Sequence, residues 1–422
     1  MSLSKELKKW RKIQWYSKDE LEQMQLSGLK NILNHSHKNI PYYKDIFQKV
    51  GYNENMDAPV VELKKMPFLT KKIIKENLPD QILDKTRETY FIDHTSGSSG
   101  VQGQFHYDKE AYSKTLAVQS LWWEWSGYKF GDKVIQTGMT PDRGLIKGIK
   151  DKLFRVKYTQ AFQMDSHTTQ KNLQPIRGTK DYYFMGYASS LYSYAKFAEE
   201  LGIDDIHFKA VVSWGDKMFP HYRKLIKKQF QAEVFDTYGA CEGTMIAAEC
   251  EEHNYHVMTP HVIIELLNND GNEIEPGEIG TVVVTRLDNY LMPLIRYRIG
   301  DLAIKADPEK KCACGRNFPM LEKIIGRDTD IIYTPKGRAL IVHFFTGIFE
   351  HIPQIEQFQV EQKEDFPLII RYIPDKDFNR DLLDDIKQEI YKKAGEVFPI
   401  EFTRVGEIKP TPSGKPQIVI SA

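Results

Sequence analysis

Apolar runs and helical patterns alternate through the middle of the chain, between about residues 90 and 240. Four runs are apolar enough to predict buried strands: residues 133–139, 182–186, 210–215 and 234–239. Stretches with apolar residues at helical spacing lie between them: residues 109–126, 187–201 and 219–230. Strands that alternate with helices build sheets covered by helices, so this region is predicted to contain a mostly parallel sheet.

The pattern differs in the regions on either side. Residues 1 to about 50 predict amphipathic helices, residues 255–306 predict antiparallel strands, and the polar residues 327–330 precede a predicted α+β unit. The predicted fold class is therefore α/β. A large N-terminal domain, residues 1–327, has mixed α/β sheets and a β subdomain at about 255–306. A small, mobile α+β domain, residues 328–422, follows it.

Composition excludes some classes of protein. The 422-residue chain is 41% hydrophobic and has a formal net charge of +0, which argues against a nucleic-acid-binding protein. No apolar run approaches the ~20 residues of a membrane span, and the charged N-terminus lacks an apolar signal core. A cytoplasmic location is expected. In that reducing compartment, the four cysteines favour metal binding or free thiols over disulfides.

A run of small hydroxyl residues and glycines follows the apolar residues 90–92. Its members are Thr95, Ser96, Gly97, Ser98, Ser99 and Gly100. Glycines let a backbone approach phosphates closely, and hydroxyls and N–H groups can bind the phosphate oxygens. Taken alone, the run is also typical of a flexible connection, and it lacks the Gly-Lys-Ser/Thr of a Walker loop.

Two further segments follow apolar runs that predict strands. Residues 238–243 hold Glu242, whose carboxylate suits Mg²⁺ on nucleotide phosphates, and Tyr238, whose ring can stack on a base. Residues 296–301 hold Asp301, which can accept both hydroxyls of a ribose. Taken alone, each segment is equally an ordinary turn with an acidic residue.

Two more segments lie at and beyond the predicted domain boundary. Arg327, in residues 326–330, can bind a phosphate or a ribose. Lys415, in the Pro- and Gly-rich residues 410–416, can neutralise charge on a transferred phosphoryl group. The alternatives are a surface turn and a flexible basic tail.

In this order, the segments resemble those of the adenylate-forming ligases, the superfamily of acyl-CoA synthetases and luciferase. The resemblance covers nearly the whole chain and is closer to the phenylacetate–CoA ligase group and its capsular-polysaccharide relatives. It rests further on residues 276–280, 293–301 and 312–316, and residues 344–362 look most like the capsule branch. The order of the segments is much more specific than any one of them.

The resemblance implies a role for each segment. Residues 95–100 would hold the β- and γ-phosphates, and Glu242 would bind Mg²⁺. Asp301 would hold the ribose, with Arg327 nearby, and Lys415 would contact the carboxylate and α-phosphate. Residues 328–330 would be the hinge. The other expected nucleotide-binding residues are Ser213, Gly215, Asp216, Asp236, Tyr238 and Gly239. Lys415, Glu242 and Arg327 are the expected catalytic residues.

The chain departs from the family pattern at two places. Gln102 and Gly103 stand where the glycine-rich loop usually continues to Pro and Lys, so the loop lysine is missing. Cys241 replaces the usual Thr of the second segment.

Thiolate and imidazole ligands predict a metal site. Cys250, His256, Cys312 and Cys314 are the expected ligands of a structural Zn²⁺, with His253 as the alternative to His256. The resemblance supports this site, because some phenylacetate-ligase-like proteins carry zinc at a similar place. Free thiols beneath the β subdomain are the alternative.

The acyl pocket is expected along residues 121–139, 184–190 and 213–218. Large apolar side chains there would favour an aryl or fatty acid, namely Trp122, Trp123, Trp125, Met139, Phe184 and Trp214. The alternative for the tryptophans is core packing of an amphipathic helix.

The predicted function is ATP- and Mg²⁺-dependent activation of a carboxylic acid to acyl-AMP, followed by ligation. CoA is the expected acceptor, or else an amine or hydroxyl of a surface-polysaccharide precursor. The alternative from another class is a non-catalytic nucleotide-binding scaffold, suggested by the missing loop lysine. A kinase is disfavoured because no kinase signature is present. The sequence leaves the acid, the acceptor and homodimer formation open.

Overall fold

The structure is a computed structural model of the chain. It describes residues 3–54, 58–94, 103–138, 151–161, 166–240, 243–327, 331–336, 339–349, 352, 354–362, 367–409 and 417–421. The chain forms two compact units. The first comprises Met1–Ile299 and Ala303–Lys323, and the second comprises Gly300–Leu302 and Ile324–Ala422. The predicted boundary at residues 327/328 stays a prediction.

The N-terminal region is helical, as its amphipathic pattern predicts. Ser17 and Glu20 form a capping box that begins the second helix, and Pro41 begins the third. The helices of the first unit are α1 (Leu3–Ile13), α2 (Lys18–Asn39), α3 (Pro41–Val50), α4 (Pro59–Lys65), α5 (Lys71–Asn77), α6 (Lys109–Trp125), α7 (Ser166–Leu173), α8 (Ala188–Glu200) and α9 (Pro220–Phe230). None of the helices in the described parts of the chain has the length and apolar character needed to cross a bilayer.

A short hairpin and a long sheet contain the strands of the central region. The hairpin pairs β1 (Phe91–His94) with β2 (Gln104–Tyr107). The sheet contains β3 (Lys133–Gly138), β4 (Val156–Gln160), β5 (Tyr182–Tyr187), β6 (Phe208–Trp214), β7 (Val234–Ala240), β8 (Thr244–Glu249), β9 (Tyr255–Val257), β10 (Val262–Leu267), β11 (Ile279–Arg286), β12 (Tyr297–Lys305) and β13 (Met320–Arg327).

The eleven strands follow the order β10-β11-β12-β13-β9-β8-β7-β6-β5-β3-β4. The five strands from β7 to β4 are parallel, and the sheet becomes antiparallel at the β7–β8 pair. The predicted α/β fold class is confirmed, including the parallel sheet and the antiparallel region after it. The parallel strands therefore end together, so residues after β5, β6 and β7 share one edge.

The second unit contains a four-stranded sheet with helices. Its order is β18-β17-β16-β19, in which β16 and β17 are antiparallel. Its elements are β14 (Ile331–Tyr333), β15 (Ala339–Ile341), α10 (Val342–Phe349), β16 (Ile355–Gln362), β17 (Leu368–Pro374), α11 (Leu382–Ala394), β18 (Ile400–Arg404) and β19 (Val419–Ser421). This is the small α+β unit that the sequence predicted.

Candidate active site and metal centre

Several predicted site residues lie outside the described residues. These are Thr95, Ser96, Gly97, Ser98, Ser99, Gly100, Glu242 and Lys415, together with the proposed hinge at residues 328–330 and the pocket residue Met139. Arg327 is the last residue of β13. Asp301 is buried within β12. The residues that flank the serine–glycine loop and Glu242 are described, and they carry the geometry below.

The β1–β2 hairpin fixes both ends of the serine–glycine loop. His94, at the end of β1, pairs with Gln104 at the start of β2. The amide of Asn289 donates a 2.9 Å hydrogen bond to the backbone carbonyl of His106. Tyr107, the last residue of β2, is buried. The loop therefore begins and ends on a hairpin that is anchored in the core of the first unit.

The turn that carries Glu242 is bonded to neighbouring side chains on its C-terminal flank. The hydroxyl of Thr115 donates to the carbonyl of Gly243 over 3.1 Å. The backbone N–H of Met245 donates to Nε2 of His261 over 3.2 Å. These contacts hold Gly243 and the start of β8, which begins two residues beyond Glu242 in the sequence.

Tyr107 contacts Gly243, and these two residues flank the two predicted phosphate-binding segments. A Cβ atom built on Gly243 would lie 2.6 Å from a ring carbon of Tyr107, and Gly243 has a φ of +59°. Only glycine fits this position without strain, for both reasons. The hairpin of the serine–glycine loop thus packs directly against the residue that follows Glu242.

A largely buried charged cluster supports this contact. Arg286 donates to Asp288 over 2.9 Å and to the hydroxyl of Thr115 over 2.8 Å, and its guanidinium lies over the Tyr107 ring. Asp288 also lies 2.6 Å from Nδ1 of His261. Burial alone would raise the pKa of Asp288, but His261 and Arg286 hold it well below its usual range.

The two bonds of His261 define its tautomer. Burial lowers the pKa of His261. Because Nε2 accepts the N–H of Met245, the ring proton resides on Nδ1 and is donated to Asp288. Sequence analysis did not identify Tyr107, Thr115, His261, Arg286 or Asp288, since none of them lies in a recognisable motif.

Replacing Thr115 with valine should lower the free energy of unfolding by about 1–2 kcal/mol. Valine keeps the shape of threonine but leaves the Gly243 carbonyl without its donor and removes an acceptor of Arg286. Thr115→Ser is the matched control, because it keeps the hydroxyl. Urea unfolding measures both variants. Equal loss in the serine variant, which keeps the hydroxyl, would contradict the role given to the hydrogen bonds.

Ser213, near the carboxyl end of β6, and Asp236, the third residue of β7, are neighbours across the two strands. The Ser213 hydroxyl donates to one oxygen of Asp236, and the Tyr255 hydroxyl donates to the other over 2.6 Å. Glu249 accepts the Asp236 N–H over 2.9 Å and forms a two-bond ion pair with Arg223. Burial and the Glu249 carboxylate raise the pKa of Asp236 to about 7.

These contacts give Ser213 and Asp236 a positioning role. Both side chains are buried and bond to each other, so they hold β6 against β7. Tyr238 is also buried, and Gly239 follows it in β7. Sequence analysis missed Tyr255, Glu249 and Arg223, which complete this network.

Gly215 and Asp216 follow β6 in the sequence, and Asp216 contacts the N-terminus of α8. Gly215 has a φ of +79°, and a Cβ there would lie 2.6 Å from the Tyr187 ring. Asp216 accepts the backbone N–H of Ser189 over 3.2 Å and also the Ser189 hydroxyl. A carboxylate is favourable at the N-terminus of a helix, so this turn is fixed against α8.

The prediction that six large side chains line the acyl pocket is wrong for three of them. Trp122 and Trp125 lie in a core cluster with α1 residues such as Trp10. This is the core packing that Sequence analysis gave as the alternative. Phe184 is fully buried among Tyr194, Phe208 and Phe230. Because their rings fill the core, none of these three can line a pocket. Trp123 and Trp214 are half-buried and stack at 6.4 Å.

Four metal-binding side chains converge in the first unit: Cys250, His256, Cys312 and Cys314. Their ligand atoms all lie within 4.8 Å of one another. The Cys250 and Cys312 sulfurs are 3.6 Å apart, and Nε2 of His256 lies 3.3 Å from the Cys314 sulfur. A tetrahedral site with Zn–S bonds of about 2.3 Å separates its sulfurs by about 3.8 Å. The donor set and its spacing fit zinc.

Backbone groups contact these ligands and orient them. Backbone N–H groups of Glu252 and Arg316 approach the Cys250 and Cys314 sulfurs at 3.4 Å. Nδ1 of His256 faces the carbonyl of Phe318 at 3.3 Å, which leaves Nε2 toward the sulfurs. His253, the alternative ligand, lies outside the cluster, and its ring nitrogens face Glu233 and Glu249 at 3.2 and 3.5 Å.

Gln14 joins the cysteine cluster to the N-terminal helix. Its side-chain oxygen accepts from Trp125 over 2.9 Å and from Arg316 over 3.1 Å. The Arg316 guanidinium also lies over the Trp125 ring and pairs with Glu251. A metal here would therefore fix the loop of Cys312 and Cys314 against both α1 and α6.

A search of solved structures identifies the fold. The structure of 2-hydroxyisobutyryl-CoA ligase in the postadenylation state, in complex with R3-HIB-AMP, superposes with a TM-score of 0.79. The match covers 98% of this chain and 92% of that chain at 17% identity. The chain has the fold of the adenylate-forming ligases.

Sequence comparisons agree with this fold. Residues 332–422 match the family model of the CapK C-terminal domain. The protein CapK of Staphylococcus aureus is 22% identical over 420 residues, covering 96% of this chain and 90% of CapK. Phenylacetate-coenzyme A ligase of Aromatoleum evansii is 27% identical over 330 residues, covering 75% of this chain and 72% of that ligase. The predicted resemblance to adenylate-forming ligases of the phenylacetate–CoA ligase and CapK type is confirmed.

Proposed function

We propose that this protein activates a carboxylic acid with ATP and then transfers the acyl group to a second substrate. In the first step, a carboxylate oxygen attacks the α-phosphorus of ATP, and acyl-AMP and pyrophosphate form. The observation that carries the proposal is the Tyr107–Gly243 contact, which joins the anchors of the serine–glycine loop and of the Glu242 turn. The ligase fold and the relatives support the same reaction.

Each predicted segment has a part in this step. Thr95 to Gly100 hold the β- and γ-phosphates through hydroxyls and N–H groups. Glu242 binds Mg²⁺, which neutralises phosphate charge. The residues around the adenine are Tyr238, Gly239, Gly215 and Asp216, at the carboxyl ends of β6 and β7. Ser213 and Asp236 hold these two strands together. Asp301 binds the ribose, with Arg327 nearby.

Lys415 contacts the carboxylate and the α-phosphate during adenylation. The C-terminal domain, residues 328–422, then rotates about residues 328–330 and withdraws Lys415, so that the acceptor can enter. No general base is required in the first step, because the attacking carboxylate is already ionised.

CoA is the acceptor in the main proposal, because the relatives at 21–27% identity include four phenylacetate-coenzyme A ligases. An amine or hydroxyl of a surface-polysaccharide precursor is the second candidate. The match of residues 332–422 to the CapK C-terminal domain favours that second acceptor.

Zinc has a structural part in the proposal. Cys250, His256, Cys312 and Cys314 would hold it with four protein ligands and no open position, so it takes no part in the reaction. Reduced thiols and ATP are both required, which places the proposed reaction in the cytoplasm.

The test is acid-dependent pyrophosphate release from ATP, with hydroxylamine added to trap the acyl group. Aryl, fatty, hydroxy and amino acids are compared with and without Mg²⁺. Release with one class identifies the substrate class, and addition of CoA in place of hydroxylamine tests the acceptor. Formation of ADP would instead indicate a phosphoryl transferase. ATP binding without turnover of any acid would favour the non-catalytic scaffold suggested by the missing loop lysine.

A further inference from the structure

An exposed apolar patch lies at the amino ends of β3 and β4, opposite the strand ends that carry the proposed active site. It consists of Phe130, Leu153 and Phe154, and we call it the Phe130 patch. Phe130 and Leu153 are 79% and 74% exposed, and the Phe130 and Phe154 rings contact each other with centroids 5.4 Å apart. Large apolar side chains grouped on a surface mark an interaction site.

Basic residues surround the Phe130 patch. Lys129, Lys152 and Arg155 are exposed and adjoin its three members in the sequence. Among the nearby carboxylates, Asp132 pairs with Lys209 at 3.1 Å and Asp181 pairs with Lys133 at 3.6 Å. Asp151 adjoins Lys152 in the sequence, and the three basic residues outnumber it. The surroundings of the patch therefore carry a local positive charge, although the net charge of the chain is +0.

We propose that the Phe130 patch docks the protein on an anionic membrane surface. Aromatic and aliphatic side chains enter the boundary between headgroups and acyl chains, while lysines and arginines bind the acidic headgroups above it. A second copy of the chain would present the same positive rim, so self-association through this patch would oppose like charges. Binding is peripheral, and it leaves the opposite edge of the sheet open to small substrates.

Vesicle co-sedimentation of the full chain tests the proposal. Wild type should sediment with phosphatidylcholine vesicles that contain phosphatidylglycerol, and much less with phosphatidylcholine alone. The double substitution F130S/L153S should lower the partition coefficient by about tenfold or more. Lys152→Ala should lower binding to the anionic vesicles by about fivefold. Added salt should also weaken the binding of wild type, because it screens the charges.

Val397→Ser is the matched control, because Val397 is 76% exposed but lies in the second unit. It should bind as wild type does. Failure of wild type to bind anionic vesicles, or equal loss in Val397→Ser, would overturn the proposal. Sedimentation velocity adds one more outcome: a dimer that F130S/L153S dissociates would assign the patch to self-association instead. Neither measurement depends on ligase activity.

Discussion

Replacing Lys415 with alanine is expected to lower the rate of acid-dependent pyrophosphate release by about 10²–10³-fold. Charge develops on the α-phosphate as the carboxylate attacks, and the ammonium group is proposed to offset it. ATP binding depends mainly on the serine–glycine loop and the Glu242 turn, so it should change little. Pyrophosphate release and the ATP dissociation constant are the measurements, both made at saturating Mg²⁺.

Lys409→Ala is the matched control, because Lys409 is an exposed lysine six positions earlier in the same segment. It should retain full activity. A second control supplies pre-formed acyl-adenylate and CoA, which bypasses the first step and should restore turnover in Lys415→Ala. Equal losses in the two lysine variants, or a loss in the bypass reaction as large as in adenylation, would contradict the proposed role. Inactivity of wild type would instead contradict the proposed function itself.

The parallel core was predictable because its strands are continuous apolar runs. β5, β6 and β7 are buried on both faces, and burial on both faces requires such runs. β4 was not predicted, because its sequence Val-Lys-Tyr-Thr-Gln is half-buried at the edge of the sheet. The hairpin of β1 and β2 was missed for a similar reason, since four-residue strands carry too few positions to show alternation.

The four metal ligands were predicted as a set from residue type and the family resemblance, and the structure brings the same four side chains together, but their geometry could not be predicted. Cys250 and Cys312 are 62 positions apart, so only folding brings their sulfurs together. The choice between His253 and His256 depended on strand alternation. His256 lies in β9 on the face opposite Tyr255, whose hydroxyl binds Asp236, and so it points to the cysteines. His253 lies in a turn with a φ of +56° and faces Glu233.

The buried charges around the proposed site were beyond sequence reasoning. Arg286 ends the apolar run of β11 and would be expected at a surface, yet it is fully buried because Asp288, Thr115 and the Tyr107 ring surround it. Arg296, in a predicted ribose segment, instead forms an ion pair with Glu265 and bonds to the carbonyl of Met66. Such partners come from distant parts of the chain, and no local pattern records them.

His256→Gln is expected to abolish stoichiometric zinc and to lower the free energy of unfolding by more than about 4 kcal/mol. Zinc bound by four protein ligands would join the β8–β9 turn to the loop of Cys312 and Cys314. That loop bonds to α1 through Arg316 and Gln14, so loss of the metal should release α1 from α6. Elemental analysis measures the metal. Near-ultraviolet circular dichroism should report the change, because the Trp125 ring lies 6.0 Å from the His256 ring.

His253→Gln is the matched variant, since it changes the neighbouring histidine by the same substitution. Among the described residues, the His253 ring contacts carboxylates and no sulfur. Zinc should therefore stay at one equivalent. The free energy of unfolding should fall only slightly, because the lost contacts are half-exposed. A strong chelator should remove zinc from wild type and lower its free energy of unfolding, as His256→Gln is expected to do. A folded wild-type preparation without zinc would remove the metal from this site. Loss of zinc in His253→Gln alone would reverse the choice of histidine, because four ligands complete a closed site and leave no place for a fifth.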